Sequence, residues 1–473
     1  MAMGKRKARQ ESLFITTDRL AQSPGHPFYQ KLNVVLDSAG FDCWIERRCA
    51  RYYEQEVKQG QPSIPPGVYF RMLLIGYFEG IDSQRGIAWR CADSLALRQF
   101  LGIPLDQGTP DHSTLTNTRQ RLPAEVFEEV FQFVLSIAVE KGLIVGDTVG
   151  VDSTTLEANA AMKSIVRRDT GEDWKEYVAR LMRAEGVIGP EDEPTAEAIR
   201  RYDQKRKGKK VSNEDWESPS DPDARIAPMK DGRTHLAYKA EHVVDLKSDL
   251  LLAAEVQPAD RADSTSLVDS VMAAQINLRQ AGSDVEIDEA VADKGYHAAA
   301  TLELCQALDV RTYIPERRGR HRSRWIGKPA QWQQAVDSNR RRVRRAKSKR
   351  LQRRRSEVCE RTFAHIGDTG GARRTWLRGL VNVTKRYLIA AAAHNLGRLM
   401  RRLCGVGKPK ALQGTDGAAA LAALLGTRCE SALPALRIVA ARIRALFRFC
   451  KPRFEVRFET CRRRMKRQTS PDC

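Results

Sequence analysis

Apolar positions recur at helical spacing through the first third of the chain and at alternating spacing further on. From His26 the pattern is helical, with Leu32, Val35 and Leu36 on one stripe. Residues 69–78 predict a buried helix behind a Pro65-Pro66 loop. Residues 81–89 and 95–102 predict two more, and residues 124–140 an amphipathic one. Pro110-Asp111-His112-Ser113 reads as a cap-rich turn before a basic helix with Arg119 and Arg121, His112 being read as a capping or hydrogen-bonding residue and not a metal ligand. Val149 and Val151 then mark a short buried strand ending at Asp152, where Ser153, Thr154 and Thr155 break the apolar run. Residues 158–166 are expected to be helical.

From Thr234 the period is two. Residues 235–245 and 250–256 predict a hairpin across Lys247-Ser248-Asp249. Asp263 is expected to cap a helix carrying Leu267, Val271 and Met272. An apolar segment, 285–292, predicts a strand that runs into Asp293 and a turn at Gly295. A helix (298–308) and a last strand (310–314) follow. Residues 356–363 are helical, and 387–396 form an alanine-rich helix with His394 read as a core histidine. Between the first strand and the hairpin, residues 167–233 are polar and charged, with helical stretches near 177–183 and 196–204. The prolines near 218–225 predict an extended loop. A segment this long is expected to be a peripheral insertion. The order of elements predicts an α/β fold with a mixed sheet.

Composition adds three constraints. With 473 residues, 42% of them hydrophobic, the chain is long enough for two or three globular domains. No apolar run approaches the ~20 residues that a membrane span needs, and the basic stretch 1–10 lacks the apolar segment of a secretory leader. The ten cysteines form no Cys-x-x-Cys pair, which predicts neither a zinc site nor a disulfide framework and fits a reducing cytoplasm. The net charge of +21 is concentrated: residues 316–355 hold 17 Lys or Arg against two acids, a local charge of +15. So dense a run predicts a polyanionic partner.

A carboxylate at the tip of a core strand is costly unless it is hydrogen-bonded, protonated or bound to a cation. Asp152 and Asp293 at two strand ends, with Glu360 on a helix, suit a site that holds two divalent ions around a phosphate. Asp147 and Glu357 are the alternatives. Asp152 is preferred because it follows the apolar pair. Glu360 is preferred because Phe363 and Ala364 lie one turn further along its helix.

These three segments, in this order, resemble the Asp-Asp-Glu (DDE) transposases of bacterial insertion sequences, whose catalytic core is ribonuclease H-like. The stretch with Asp82-Ser83-Gln84-Arg85-Gly86, Phe100-Leu101-Gly102 and Pro110-Asp111-His112-Ser113-Thr114-Leu115 is similar to the helical domain that precedes that core. In that family it is associated with recognising the element's ends; a dimerisation bundle is the alternative. Composition predicts a disordered tail (1–25) and a Gly-rich linker with a basic helical tail (404–473), and the resemblance implies a helical domain (26–140) and a ribonuclease H-like domain (141–403) between them. It implies that Asp152, Asp293 and Glu360 coordinate two Mg²⁺ ions, with Mn²⁺ able to substitute. The reaction would be strand cleavage and transfer on double-stranded DNA, at the element's ends and a target, by a homodimer or higher oligomer in the bacterial nucleoid. Arg341, Arg342, Arg344, Arg345, Arg354, Arg355 and Arg361 are the expected DNA contacts. The family's Tyr-Arg-Glu-Lys signature is incomplete: Ser356 stands where its Arg is expected, with Arg355 beside it, and Gly367 stands in place of its Lys. Arg355, Arg361, Arg373 and Arg374 are the available substitutes. The rival readings are a non-cutting DNA-binding regulator and a general metal-dependent nuclease.

Overall fold

Pro27 and Pro66 each occupy the first turn of a helix, where a missing N–H costs nothing, so the helical half of the chain starts where the sequence allows. The computed structural model describes residues 23, 25–53, 63–207, 212–229, 232–317 and 325–412. Seven helices come first: α1 (Pro27–Ser38), α2 (Phe41–Cys49), α3 (Pro66–Glu79), α4 (Gln84–Asp93), α5 (Leu95–Leu101), α6 (His112–Arg121) and α7 (Ala124–Glu140). Their core is aromatic, with Phe28, Tyr29, Phe41, Tyr69, Phe70, Phe127 and Phe131 almost fully buried. The cap of α6 is Asp111, whose carboxylate accepts from Thr114 N at 2.9 Å; His112 is the first helical residue and not the cap. A carboxylate is the better partner for the free N–H groups of a first turn.

Strand β1 (Thr148–Glu157) leads into the sheet. Next come the small pair β2 (Val166–Arg167) and β3 (Trp216–Glu217), which encloses α8 (Trp174–Ala184) and α9 (Ala196–Lys205). These two helices share a small core of Val178, Met182 and Ile199. Then follow β4 (Arg225–Pro228), β5 (Thr234–Asp245), β6 (Leu251–Pro258), α10 (Asp263–Gln280), β7 (Glu289–Val291), α11 (Ala299–Ala307) and β8 (Arg311–Tyr313). The chain closes with α12 (Ala330–Val343), α13 (Ala346–Ala364) and α14 (Leu380–Cys404).

β1, β5 and β6 are antiparallel neighbours; β7 is parallel to β1, and β8 to β7. The sheet therefore runs β6–β5–β1–β7–β8, with α10 and α11 as the crossovers that parallel neighbours require. This is the ribonuclease H-like arrangement. Helix α10 packs on β5 and β6, α13 on β1, and α14 on β6 and on α7, which ties the helical half to the sheet.

Several expectations change. β1 does not stop at Asp152. Ser153 to Glu157 stay paired with β5 as far as Ala237, and the β-branched Thr154 and Thr155 suit that extension, so Asp152 lies mid-strand. Residues 158–166 are not an α-helix but a loop with one 3₁₀ turn at Met162–Ser164. Asp263 does not cap α10. Ala262 holds the cap position, and the Asp263 carboxylate is spent on Ser153 and Lys239. The end of the 167–233 segment is part of the main sheet, since β4 pairs with β5. Nor is 218–225 a free loop. Ser218 and Asp221 are fully buried, and Asp221 accepts from Tyr238 Oη at 2.6 Å and Gly379 N at 3.0 Å. The expected N-terminal tail and the basic tail with Arg462, Arg463 and Arg464 lie outside the described residues.

Candidate active site

β1 and β7 run parallel side by side, and each carries one aspartate just past the residues that pair the two strands with each other: Asp152 two residues beyond Gly150, and Asp293 two beyond Val291. Their charges act on each other. Burial is the main cause that raises the Asp152 pKa, and the Asp293 carboxylate adds to it. Arg355 and the Ser153 N–H (3.0 Å) pull the other way. Arg355 Nη1 stands 2.7 Å from Asp152 Oδ2. Gly150 makes that contact possible, because a side chain there would begin 2.7 Å from Leu246 Cδ2 and 3.0 Å from Arg355 Cγ. With no side chain on Gly150, α13 lies directly on β1.

Asp293 accepts from Gly295 N at 2.6 Å and starts the turn that carries Tyr296 inward. Glu360 does not join the two aspartates. It lies on the exposed side of α13 and accepts from Ser356 Oγ at 2.8 Å. Among the described residues no three acidic, His or Cys side chains converge as a metal cluster. Glu357 pairs with Arg354 and Arg361, and Asp147 with Lys247 (2.8 Å) before β1 begins. The two aspartates repel each other and are partly desolvated, and one guanidinium, Arg355, offsets part of their charge.

α13 is fixed by a buried polar clamp. His242 stacks on Phe363, with ring centroids 4.0 Å apart. Its Nδ1 meets Thr362 Oγ1 at 2.9 Å and its Nε2 meets Tyr387 Oη at 2.7 Å. Thr362 already donates its hydroxyl hydrogen to Cys359 O, so Nδ1–H is the donor to Thr362 and Tyr387 donates to Nε2. Burial holds the His242 pKa down at about 3, and the ring stays neutral.

Two carboxylates beside the aspartates escape a pattern-based reading. Asp263 accepts from Ser153 Oγ and Lys239 Nζ, both at 3.0 Å. Glu241, fully buried, accepts from Ser266 Oγ at 2.7 Å and Tyr296 Oη at 3.0 Å. The available signal is spacing: Lys239 and Glu241 alternate onto one face of β5, and Asp263, Ser266 and Ser270 share one face of α10.

The seven expected DNA-contacting arginines divide. Arg341, Arg344 and Arg345 are exposed around the α12–α13 junction. Arg342 donates to Thr312 O (3.0 Å), Arg354 and Arg361 both bind Asp249, and Arg355 binds Asp152. None of the described helices is long and apolar enough to cross a membrane.

Two family matches bear on this geometry: Transposase domain (DUF772) over residues 17–121, and Transposase DDE domain over residues 199–396. Together they cover more than half of the chain. The chain belongs to the DDE transposases. It is a DNA transposase, and nothing in the matches or the fold favours a non-cutting regulator. The matched DDE segment of this transposase contains Asp293 and Glu360, while Asp152 precedes it on β1. No curated protein matches the chain.

Proposed function

We propose that this transposase cleaves and transfers DNA strands at the ends of its element in a reaction that depends on divalent metal, with Asp152, Asp293 and Glu360 as the ligand set. The observation that carries the reading is the meeting of Asp152 and Asp293 on adjacent parallel strands, with the Arg355 cation against Asp152. Bound Mg²⁺ or Mn²⁺ supplies activation of the attacking oxygen and stabilisation of the leaving one. The chain's own contribution is placement. Gly150 and the His242 clamp set α13 on the sheet, the Asp293 turn is held by Gly295 N, and Arg355 offsets part of the cost of burying the Asp152 charge. Glu360 is the third carboxylate, and it joins the set only by giving up its bond to Ser356. Exposed Arg341, Arg344 and Arg345 offer positive charge to the DNA backbone.

The test is direct binding of Mn²⁺ to the full chain, followed calorimetrically. Asp152→Asn and Asp293→Asn should each weaken it at least tenfold, and Asp147→Asn should leave it unchanged. Equal Mn²⁺ affinity in all three would remove the aspartate pair from the reading.

A further inference from the structure

A polar cavity lies where the chain leaves α14. The helix ends at Cys404, Gly405 takes a left-handed turn (φ 74), and residues 406–408 return along the last turns of the helix. Two glycines let the return path close. A side chain on Gly397 would start 2.8 Å from the Gly407 carbonyl oxygen, and one on Gly407 would start 2.8 Å from the Gly397 carbonyl oxygen. The close approach brings Lys408 to the same cavity as Arg398 and Arg401, with His365 and His394 completing the polar wall. The end of α3 closes the other side. The space measures about 50 Å³, well above the ~15 Å³ that a single water needs.

The wall contains three fixed cations and no carboxylate. Arg398 binds Asp249 at 2.6 Å, but that single carboxylate is shared with Arg354 and Arg361, so positive charge remains in excess. Arg401 and Lys408 have no acidic partner among the described residues. Two buried polar atoms of the wall residues, His394 Nε2 and Arg398 Nε, also lack hydrogen-bond partners. His394 is 4% exposed, and an unpaired polar atom at that depth calls for a ligand or water. Three cations with an unpaired Arg398 Nε–H donor, in a space larger than one water, are the requirements of an oxyanion.

We infer that this cavity binds a phosphate group, supplied either as free inorganic phosphate or by the DNA backbone. Neither source involves the aspartates, and the inference does not depend on the metal reading.

The experiment compares the full chain with Arg401→Gln/Lys408→Gln and with the control Arg279→Gln, an exposed arginine on α10 paired with Glu286. Unfolding midpoints without ligand should agree, because the exchanged groups reach the surface. In the first arm, inorganic phosphate is titrated calorimetrically at constant ionic strength. In the second, affinity for a DNA duplex is followed against salt without divalent metal. Free phosphate as the ligand predicts one site in the wild type and the control, weakened at least tenfold in the double variant. Backbone phosphate predicts, in the double variant alone, a salt slope smaller by about 0.9 for each DNA phosphate that is no longer neutralised. Gly407→Val, which pushes the return segment off α14, should reproduce whichever effect is seen. If the double variant matches the wild type in both arms, the cavity holds only water and the inference is overturned.

Discussion

Arg355 Nη1 and Asp152 Oδ2 lie 2.7 Å apart across the contact between α13 and β1, with both side chains largely shielded from water. Arg355 stands five residues before Glu360 on the same helix.

Removing that charge should have a measurable and pH-dependent cost. In Arg355→Ala, Asp152 keeps only the Ser153 N–H and faces Asp293, so its pKa, already raised by burial, rises further. A carboxyl whose folded pKa exceeds its unfolded value destabilises the fold above that value and ceases to do so once protonated. The variant should lose about 1.5–3 kcal/mol at neutral pH, the usual worth of a hydrogen bond to a charged group. The loss should shrink as pH falls toward the unfolded aspartate pKa near 3.9. Urea denaturation at several pH values measures this, and a loss independent of pH would count against the desolvated aspartate pair.

The His242 clamp makes a second pH prediction of opposite sign. Its folded pKa, about 3, is far below the ordinary value of about 6.5. The stability that the neutral ring confers is therefore complete above pH 6.5 and is lost as pH falls toward 3. The slope reaches about 1.4 kcal/mol per pH unit, the equivalent of one proton. Tyr387→Phe should cost about 1 kcal/mol at neutral pH by leaving Nε2 unpaired. His242→Gln should flatten the acid slope in a plot of unfolding free energy against pH.

The basic stretch should separate into grip and scaffold. Arg341→Ala/Arg344→Ala/Arg345→Ala should weaken binding to all DNA sequences alike, with little change in stability. It should also lower the salt slope by roughly 0.9 for each phosphate that loses its arginine. Arg354→Ala/Arg361→Ala strips Asp249 of two partners and should lower the unfolding midpoint instead. Filter binding across salt concentrations, alongside thermal unfolding, distinguishes them. An unchanged slope in the triple variant would make the exposed arginines a solvated surface only.

Much of this was legible in the sequence, and the misses share a cause. Alternation gave the β5–β6 hairpin, and helical spacing gave the aromatic helices and α14, because one-sided burial leaves a periodic trace. The extent of β1 was not legible, since Ser153 to Thr155 look like a break until the β5 backbone is seen to pair with them. The roles of Asp263 and Glu241 were hidden for a related reason. A polar residue facing another element has no pattern of its own, and its partner can lie 110 residues away, as Ser153 does from Asp263. The same applies to Arg354 and Arg361, which read as part of a DNA-facing run until Asp249 is in view.

Proteolysis checks the revised view of 167–233. Ser218, Asp221 and Ala224 are buried and Arg225–Pro228 pair with β5, whereas the connection between α8 and α9 is exposed around Glu185, Glu191 and Glu193. A glutamate-specific protease should cut there before any site within β1, β5 or β7. Early cleavage after Glu241 or Glu289 would contradict the sheet described here.

Strand cleavage decides whether Asp152, Asp293 and Glu360 form the ligand set. Asp152→Asn, Asp293→Asn and Glu360→Gln each preserve shape while removing one negative charge that a hard cation requires. On a duplex carrying the element's own ends, each should abolish Mg²⁺-dependent cleavage while metal-free DNA affinity stays equal or rises slightly. Asp147→Asn and Glu357→Gln should cleave as the wild type does. Normal cleavage by Glu360→Gln with a dead Glu357→Gln, or no cleavage by the wild type with Mg²⁺ or Mn²⁺, would contradict the account.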